Sequence, residues 1–335
     1  MQKLEPTWQN LPTHFKKNLV EYLDFESRLH LAATSKTDFD LVESCPLKMH
    51  HIFLELYSPE PDNNAYPEYF YMLQEKKNSK KKIYAVFGSA EDGVKALLGI
   101  LKHPKSRIDT FDIYFKSRRG ERIEYYQATM EKFAQELALR IGKNEGKKIK
   151  TRSLSFSSGF KTTEVFLDIL NCFDSSTLTQ LRIQPRVSEE IVEKIISSEY
   201  WENLNSFTLQ GKTTVSVEKL LPPKAIHLEI NRYCRSLMPQ NVLNLINTFI
   251  NRNSPWASYF HVLTTPDHRY DMDGTMRELT RTSTLIERDE QYTDFHFKMS
   301  SNNLVFVARI FAAGVQGAVC HVESLEKDKE WLLRV

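Results

Sequence analysis

Apolar residues near the start of the chain recur at the spacing of a short helix. After Leu11-Pro12, the residues Phe15, Leu19 and Leu23 fall at i, i+4 and i+8, which is one helical face. Proline suits the first turn of a helix, because its missing N–H would have no intrahelical partner there. The spacing therefore predicts a helix that begins after Pro12.

Two further short helices are predicted before the chain reaches Cys45-Pro46. Asp24 is a suitable N-cap for the second helix, which carries Leu29 and Leu31. The third ends at Cys45, since a residue that precedes proline disfavours the helical backbone. Three such short helices bury too little apolar surface to be stable alone, so they need a partner surface or their own neighbouring domain to cover their apolar faces.

These features predict a helical domain over residues 7–50. The next segment, residues 51–82, contains three prolines and ends in a lysine-rich run. Proline breaks regular structure and such charge runs are usually solvated, so this segment is predicted to be a linker.

From residue 83 onward, predicted strands alternate with predicted helices, as in parallel β–α units. A strand motif with positions i, i+3 and i+5 recurs, with copies that begin at Ile108, Thr151, Leu178, Leu204 and Ala225. The middle residues of the last four copies are 27, 26 and 21 residues apart, within the leucine-rich-repeat range of roughly 20–29 residues. One strand and one helix cannot bury their own apolar face, so successive units are expected to stack.

The predicted fold class is therefore α/β, with an irregular, leucine-rich-repeat-like stack of parallel β–α units over residues 83–335. The repeats lack the asparagine that follows the strand in standard leucine-rich repeats, so a compact open α/β sheet is the alternative. After residue 265 the pattern weakens, and an antiparallel pair is expected to close the stack. Side chains that alternate with buried strand positions face the open side of the sheet. The candidate partner-binding residues there are Asp112, Ser155, Arg182, Thr208 and Glu229.

Composition narrows the functional classes. The formal net charge of +2 gives no long-range attraction to nucleic acid or to anionic lipid. The first residues do not form a signal peptide, and no apolar run approaches the ~20 residues that cross a bilayer. We therefore expect a cytoplasmic or nuclear protein. The four cysteines are far apart, which favours free buried thiols over a zinc site.

Signatures of catalysis are missing from the sequence. Phosphate-binding glycine loops, the G-x-S-x-G elbow and H-E-x-x-H do not occur. We predict no cofactor, no metal and no catalytic residues. The polar cluster at 267–273 is best interpreted as a surface loop with Asp271 or Asp273 as a helix cap. A metal-dependent enzyme that uses this cluster is the less favoured alternative. Trp201 is expected to pack beneath a strand rather than bind a partner.

The N-terminal helices resemble an F-box. The resemblance rests on Trp8-x-x-Leu11-Pro12, Leu19, Tyr22-Leu23, Ser27-Arg28-Leu29 and Leu31, and the continuation from Thr34 to Pro46 is similar to F-boxes of the expanded nematode families. The downstream α/β region resembles the FTH-type domain of those proteins, so the chain resembles a nematode F-box A-like protein. Phe15 and Lys16 depart from the usual aliphatic residue, and Phe39 stands where many F-boxes have tryptophan.

This resemblance implies a substrate-recognition role in a Skp–cullin–F-box ubiquitin ligase. An F-box binds the Skp-type adaptor, here called the Skp-type protein, while the C-terminal domain holds a protein substrate and other subunits transfer ubiquitin. A scaffold that binds protein without a ligase is the alternative. The residues expected to form or support the surface for the Skp-type protein are Leu11, Pro12, Phe15, Leu19, Leu23, Leu29 and Leu31, with Leu11, Pro12 and Leu23 the best candidates for direct contact.

Overall fold

The structure, a computed structural model, describes residues 7–57, 69–75, 82–101, 103, 105–116, 123–143, 147–158, 164–184, 187–233, 237–264 and 271–333. Its helices are α1 (Thr13–Tyr22), α2 (Phe25–Ala32), α3 (Lys36–Glu43), α4 (Ala90–Ile100), α5 (Ile123–Lys143), α6 (Val165–Asn171), α7 (Glu189–Ile196), α8 (Pro239–Asn251), α9 (Met272–Thr282) and α10 (Leu325–Leu332). Its strands are β1 (Lys48–Tyr57), β2 (Tyr69–Gln74), β3 (Ile83–Phe87), β4 (Arg107–Lys116), β5 (Thr151–Ser158), β6 (Gln180–Ile183), β7 (Ser206–Thr213), β8 (His227–Tyr233), β9 (Tyr259–Thr264), β10 (Leu285–Arg288), β11 (Tyr292–Lys298), β12 (Leu304–Phe311) and β13 (Gly314–His321).

The chain is mixed α/β and divides into two compact units. The first contains Met1–Arg152 and Asp168–Asp174, and the second contains Ser153–Leu167 and Ser175–Val335. The first unit therefore holds the N-terminal helices together with β1–β4, α4 and α5. In the described ranges, no helix combines the length and apolar character needed to cross a bilayer.

In the first unit the strand order is β4-β1-β2-β3, with β1 parallel to β4 and antiparallel to β2. Strand residues alternate between two sides, as the pleat requires. Ile52, Leu54 and Leu56 are buried on one side of β1. On β4, the ring of Phe115 packs edge-on against Phe133 of α5, with centroids 6.3 Å apart. The helix-covered side of this sheet is therefore the core of the unit.

Part of the segment predicted as a linker forms strands instead. All of β2 and most of β1 lie in it. The buried residues of β1 alternate with half-exposed ones, in the manner of a half-covered strand. The prolines and lysines favour a linker, and apart from Lys82 they fall at residues 58–68 and 76–81, outside the described residues.

The N-terminal helices continue directly into this sheet. The backbone N–H of Leu47 donates to the hydroxyl of Ser106 over 2.8 Å. The N–H of Arg107 donates to the carbonyl of Leu47 over 3.0 Å. These bonds join the end of the helical segment to the start of β4, so the predicted boundary at residue 83 does not coincide with the division into units.

In the second unit the strand order is β10-β11-β12-β13-β9-β8-β7-β6-β5. Strands β5 to β9 are parallel, and the middle residues of the sequence motif are direct neighbours in register: Leu154, Leu181, Phe207 and Leu228. The recurring motif therefore corresponds to neighbouring strands. Beyond β9, strands β10 to β13 pair antiparallel, as expected for the end of the chain.

Aromatic contacts on one side of this sheet form its core. Phe156 of β5 lies 4.8 Å from Phe166 of α6, measured between ring centroids. Trp201 is buried and packs edge-on against Phe207 at 5.0 Å, which confirms that it lies beneath a strand. Since apolar strand positions contact α6 and α8, the alternate positions face the open side.

Candidate partner-binding surfaces

Helix α1 has two faces of different burial. Val20 is fully buried and forms a small core with Leu41 and Cys45. Leu23 and Leu31 pack against that core, together with Trp8 and Val42. Leu23 and Leu31 therefore support the helical domain from inside.

The opposite face of α1 is apolar and faces solvent. Phe15 is 47%, Leu19 37% and Tyr22 88% exposed. Their spacing of i, i+4 and i+7 puts them in one row, which we call the α1 surface. Pro12 is exposed and Leu11 half-buried just before this row. Of the seven residues predicted from the sequence, Pro12, Phe15, Leu19 and Leu29 are thus exposed, while contact with a Skp-type protein stays a prediction.

A hydrogen-bond network at the surface fixes the start of the domain to α3. The indole Nε1 of Trp8 donates to the carboxylate of Asp38 over 2.8 Å, and the hydroxyls of Thr34 and Ser35 donate to the same carboxylate over 2.8 and 2.7 Å. These bonds, the one from Trp8 foremost, hold the pKa of Asp38 below its ordinary value. The carboxylate stays ionised, so the network persists at neutral pH.

Arg28 joins α2 to the chain that follows α3. Its guanidinium is buried and donates to the carbonyls of Leu23 (3.2 Å) and Pro46 (3.0 Å). Burial lowers the pKa of Arg28, but arginine remains charged in proteins. The two carbonyls offset part of the cost of removing that charge from water.

A groove of about 220 Å³ lies between α2, α3 and α4. Leu29 (50% exposed) and Phe39 (47% exposed) line it, opposite the small residues Ala96 and Gly99. A side chain at Gly99 would meet open space, so the small residues leave the groove unfilled. Leu29, predicted together with the α1 residues, belongs to this groove.

The open side of the second unit presents a row of polar residues in register. Ser155 pairs with Arg182, Arg182 with Thr208, Thr208 with Glu229, and Glu229 with His261. We call this the polar row. The structure therefore brings together four of the five residues predicted for partner binding and adds His261, which sequence reasoning missed.

Asp112, the fifth predicted residue, lies in the first unit. Its carboxylate is 2.8 Å from the Nε2 atom of His51 on the neighbouring strand β1. Asp112 therefore does not belong to the polar row.

Two histidines, His261 of the polar row and His227 on the same side of the sheet, are held neutral by their surroundings. His227 stacks on Tyr259 with centroids 4.6 Å apart, and its Nε2 is 3.2 Å from the carbonyl oxygen of Ala257. His261 Nε2 lies 3.2 Å from the amide nitrogen of Gln316. Burial lowers the pKa of both histidines below the ordinary value. The other ionisable side chains of the polar row are those of Arg182 and Glu229.

The candidate catalytic cluster has a structural role where it is described. Asp271 is the N-cap of α9, and its carboxylate accepts from the N–H of Gly274 over 2.8 Å. Asp273 lies in the first turn of that helix, while residues 265–270 lie outside the described residues. Within the described part of the chain, no three His, Cys, Asp or Glu residues are grouped as a metal site.

Three of the cysteines are free and buried, and Cys234 lies outside the described residues. Burial raises the pKa of Cys45, and it raises the pKa of Cys172 and of Cys320 to about 12. A thiol with so high a pKa stays protonated and is a poor nucleophile.

Two exposed tryptophans were not predicted as functional. Trp256 and Trp331 are 46% and 55% exposed and stack with ring centroids 6.2 Å apart. The indole of Trp256 donates to the buried carboxylate of Asp328 over 2.9 Å. Trp256 lies in the loop after α8, where no periodic pattern signals its exposure.

Comparison with known protein families finds two matches. An F-box domain model matches residues 8–50, and an FTH domain model matches residues 134–265. Neither a curated protein nor a solved structure matches the chain. The first match contains α1–α3, and the second contains the strands of the polar row. This chain is thus an F-box protein that also carries an FTH domain.

Proposed function

We propose that the chain is the substrate-recognition subunit of a Skp–cullin–F-box ubiquitin ligase. Its F-box binds the Skp-type protein, and its FTH domain holds a protein substrate. It performs no chemistry of its own, because ubiquitin transfer belongs to other subunits. It acts in the cytoplasm or the nucleus.

The α1 surface is the observation that carries this proposal. Phe15, Leu19 and Tyr22 expose apolar side chains on a helix whose other face is already packed by Val20. Clustered exposed apolar groups of this kind mark interaction sites. An F-box domain implies a Skp-type partner, and this surface offers it aromatic and aliphatic anchors.

The polar row supports the second half of the proposal. It lies within the FTH match, on the side of the sheet opposite α6–α8. Its members come from successive β–α units, and we interpret these as an irregular leucine-rich-repeat-like stack. Such stacks use extended surfaces for binding. Hydroxyl, guanidinium and carboxylate groups together suit a polar protein surface, with Arg182 and Glu229 as the charged anchors.

Co-purification with a Skp-type protein tests the proposal. We expect the full chain, co-expressed with a tagged Skp-type protein, to form a stable complex. The double variant Phe15→Glu/Leu19→Glu should weaken binding at least roughly 30-fold, the effect of losing about 2 kcal/mol at a hot spot. Leu11→Ala/Pro12→Ala should weaken it as well.

Leu139→Glu is the matched control, since Leu139 is 52% exposed on α5 of the same unit. It should bind like the wild type. A folded wild-type chain that binds no Skp-type protein would favour the ligase-independent scaffold. An enzyme that uses the 267–273 cluster remains the weakest alternative, because the described part of that cluster caps a helix.

A further inference from the structure

Strand β3 is an edge strand without the usual protection. Among the described residues, β2 is the one strand that pairs with it. Proteins commonly protect an edge with charged residues, proline or a bulge. The sequence of Ile83–Phe87 is Ile-Tyr-Ala-Val-Phe, which contains no charge and no proline. Its register with β2 is unbroken, so it has no bulge.

The edge strand β10 of the second unit shows the contrast. It reads Leu-Ile-Glu-Arg, and two of its four residues are charged. Glu287 pairs with the ammonium group of Lys329 and lies 3.4 Å from the imidazole of His296. Charges thus protect β10 from pairing with another chain, whereas β3 has no such protection.

The open side next to β3 is apolar and partly aromatic. Tyr84 and Val86 are 58% and 61% exposed. Tyr84 pairs across the sheet with Met72, and Val86 with Phe70. The rings of Phe70 and Tyr84 are 5.5 Å apart. A strand added beside β3 would continue these rows and cover both exposed side chains.

The sequence that leads into β3 is basic. Lys82 is exposed and directly precedes Ile83, and the sequence from Glu75 to Lys82 contains five lysines and one glutamate. A partner segment therefore gains from acidic residues at the end that lies beside Ile83.

We propose that β3 binds an extended segment of a partner protein as an added strand. The segment alternates apolar with polar residues and carries Asp or Glu at the end next to Lys82. Main-chain hydrogen bonds along the edge give affinity, and Tyr84 and Val86 select apolar side chains on the same side. Neither family match covers β2 or β3, and this proposal does not depend on the ligase assignment.

Selection from a phage library of random twelve-residue peptides tests the proposal on the full-length chain. The counter-selection uses Tyr84→Lys/Val86→Lys, a variant that changes two exposed side chains and should fold. The control is Leu285→Lys on β10, where Leu285 is 51% exposed. We expect enriched peptides with alternating apolar residues and acidic residues at one end. A synthetic copy should bind the double variant roughly 10-fold more weakly or worse, and the control unchanged.

Backbone methylation of the peptide separates strand addition from packing on the face. N-methyl groups at alternate residues remove main-chain donors, so binding to the wild type should fall at least roughly 10-fold. Equal binding of the methylated peptide would overturn strand addition. Enriched peptides without acidic residues, or binding unaffected by the double variant, would also overturn the proposal. The proposal would also be overturned if the wild type formed a homodimer that the double variant does not form, or if single-stranded RNA competed with the peptide for Tyr84 and Val86.

Discussion

The α1 surface and the polar row are both proposed as partner-binding surfaces, but their chemistry is opposite. Phe15, Leu19 and Tyr22 offer apolar area on a short helix, whereas the polar row offers hydroxyl, guanidinium and carboxylate groups on a sheet. Apolar anchors give affinity through area removed from water. Polar groups give specificity, because a mismatched partner leaves them unpaired after desolvation. The difference fits one constant partner at the F-box and a selected partner at the FTH domain.

The two faces of α1 provide the largest expected contrast. Val20→Asp places a carboxylate in the core and should lower the free energy of unfolding of the F-box by about 3 kcal/mol or more. Leu19→Asp, one residue away but exposed, should change it by no more than about 0.5 kcal/mol. Hydrogen exchange of the α1–α3 amides in urea measures both. Equal destabilisation by the two variants would show that the α1 surface is part of the fold's own core.

Leu29 decides whether the groove beside α4 belongs to the same interface. If the Skp-type protein covers both, Leu29→Glu should weaken its binding roughly 10-fold, about 1.4 kcal/mol. Calorimetric titration of the variant against the wild type measures this effect. Unchanged affinity would restrict the interface to the α1 surface, and Leu139→Glu again serves as the surface control.

Charge reversal on the polar row should leave the F-box partner unaffected. Arg182→Glu and Glu229→Lys remove the charged anchors and should weaken substrate binding by about 1–2 kcal/mol each. Affinity for the Skp-type protein should be unchanged. Quantitative co-purification of cellular proteins with each variant measures the loss of substrate. Phe15→Glu/Leu19→Glu is the comparison, because it should lose the Skp-type protein and keep the substrate. Substrates retained by both charge-reversal variants would place recognition elsewhere.

The smallest expected effect is a loss of folding stability at acidic pH, caused by two histidines on the side of the polar row. Burial lowers the pKa of His227 and His261, so the folded chain binds these protons less readily than the unfolded chain. In the unfolded chain the pKa of histidine is about 6.5. The stability that depends on these histidines being neutral is therefore present above that pH and is lost as the pH falls below it. Urea unfolding at about pH 7.5 and about pH 5.5 should show a smaller loss for His227→Gln/His261→Gln than for the wild type. An identical loss would contradict this assignment.

The periodicity of apolar residues predicted where helices form better than it predicted which of their residues are exposed. The spacing of Phe15, Leu19 and Leu23 predicts α1 correctly, but the helix ends at Tyr22 and Leu23 has an extended backbone with φ −70° and ψ 141°. Leu23 therefore leaves the helical face and packs on the domain core. A cap residue changes direction in a way that i+4 spacing does not reveal.

Long-range pairing explains why the polar row was found and the β3 edge was not. Four residues of the row come from copies of one motif, so the alternation within each copy predicts a shared face. β1 instead pairs with β4, which begins 59 residues later in the chain at Arg107, and nothing local specifies that partner. The position of β3 at an edge follows from this pairing. Sequence reasoning thus reached the repeated strands, but it missed β1 and β2 and the pairing of β1 with β4.

Hydrogen–deuterium exchange of the full chain with and without a Skp-type protein tests the F-box assignment most directly. We expect slower exchange in α1 on binding, with exchange in β5–β9 unchanged. Unchanged exchange in α1, or protection confined to β5–β9, would contradict it.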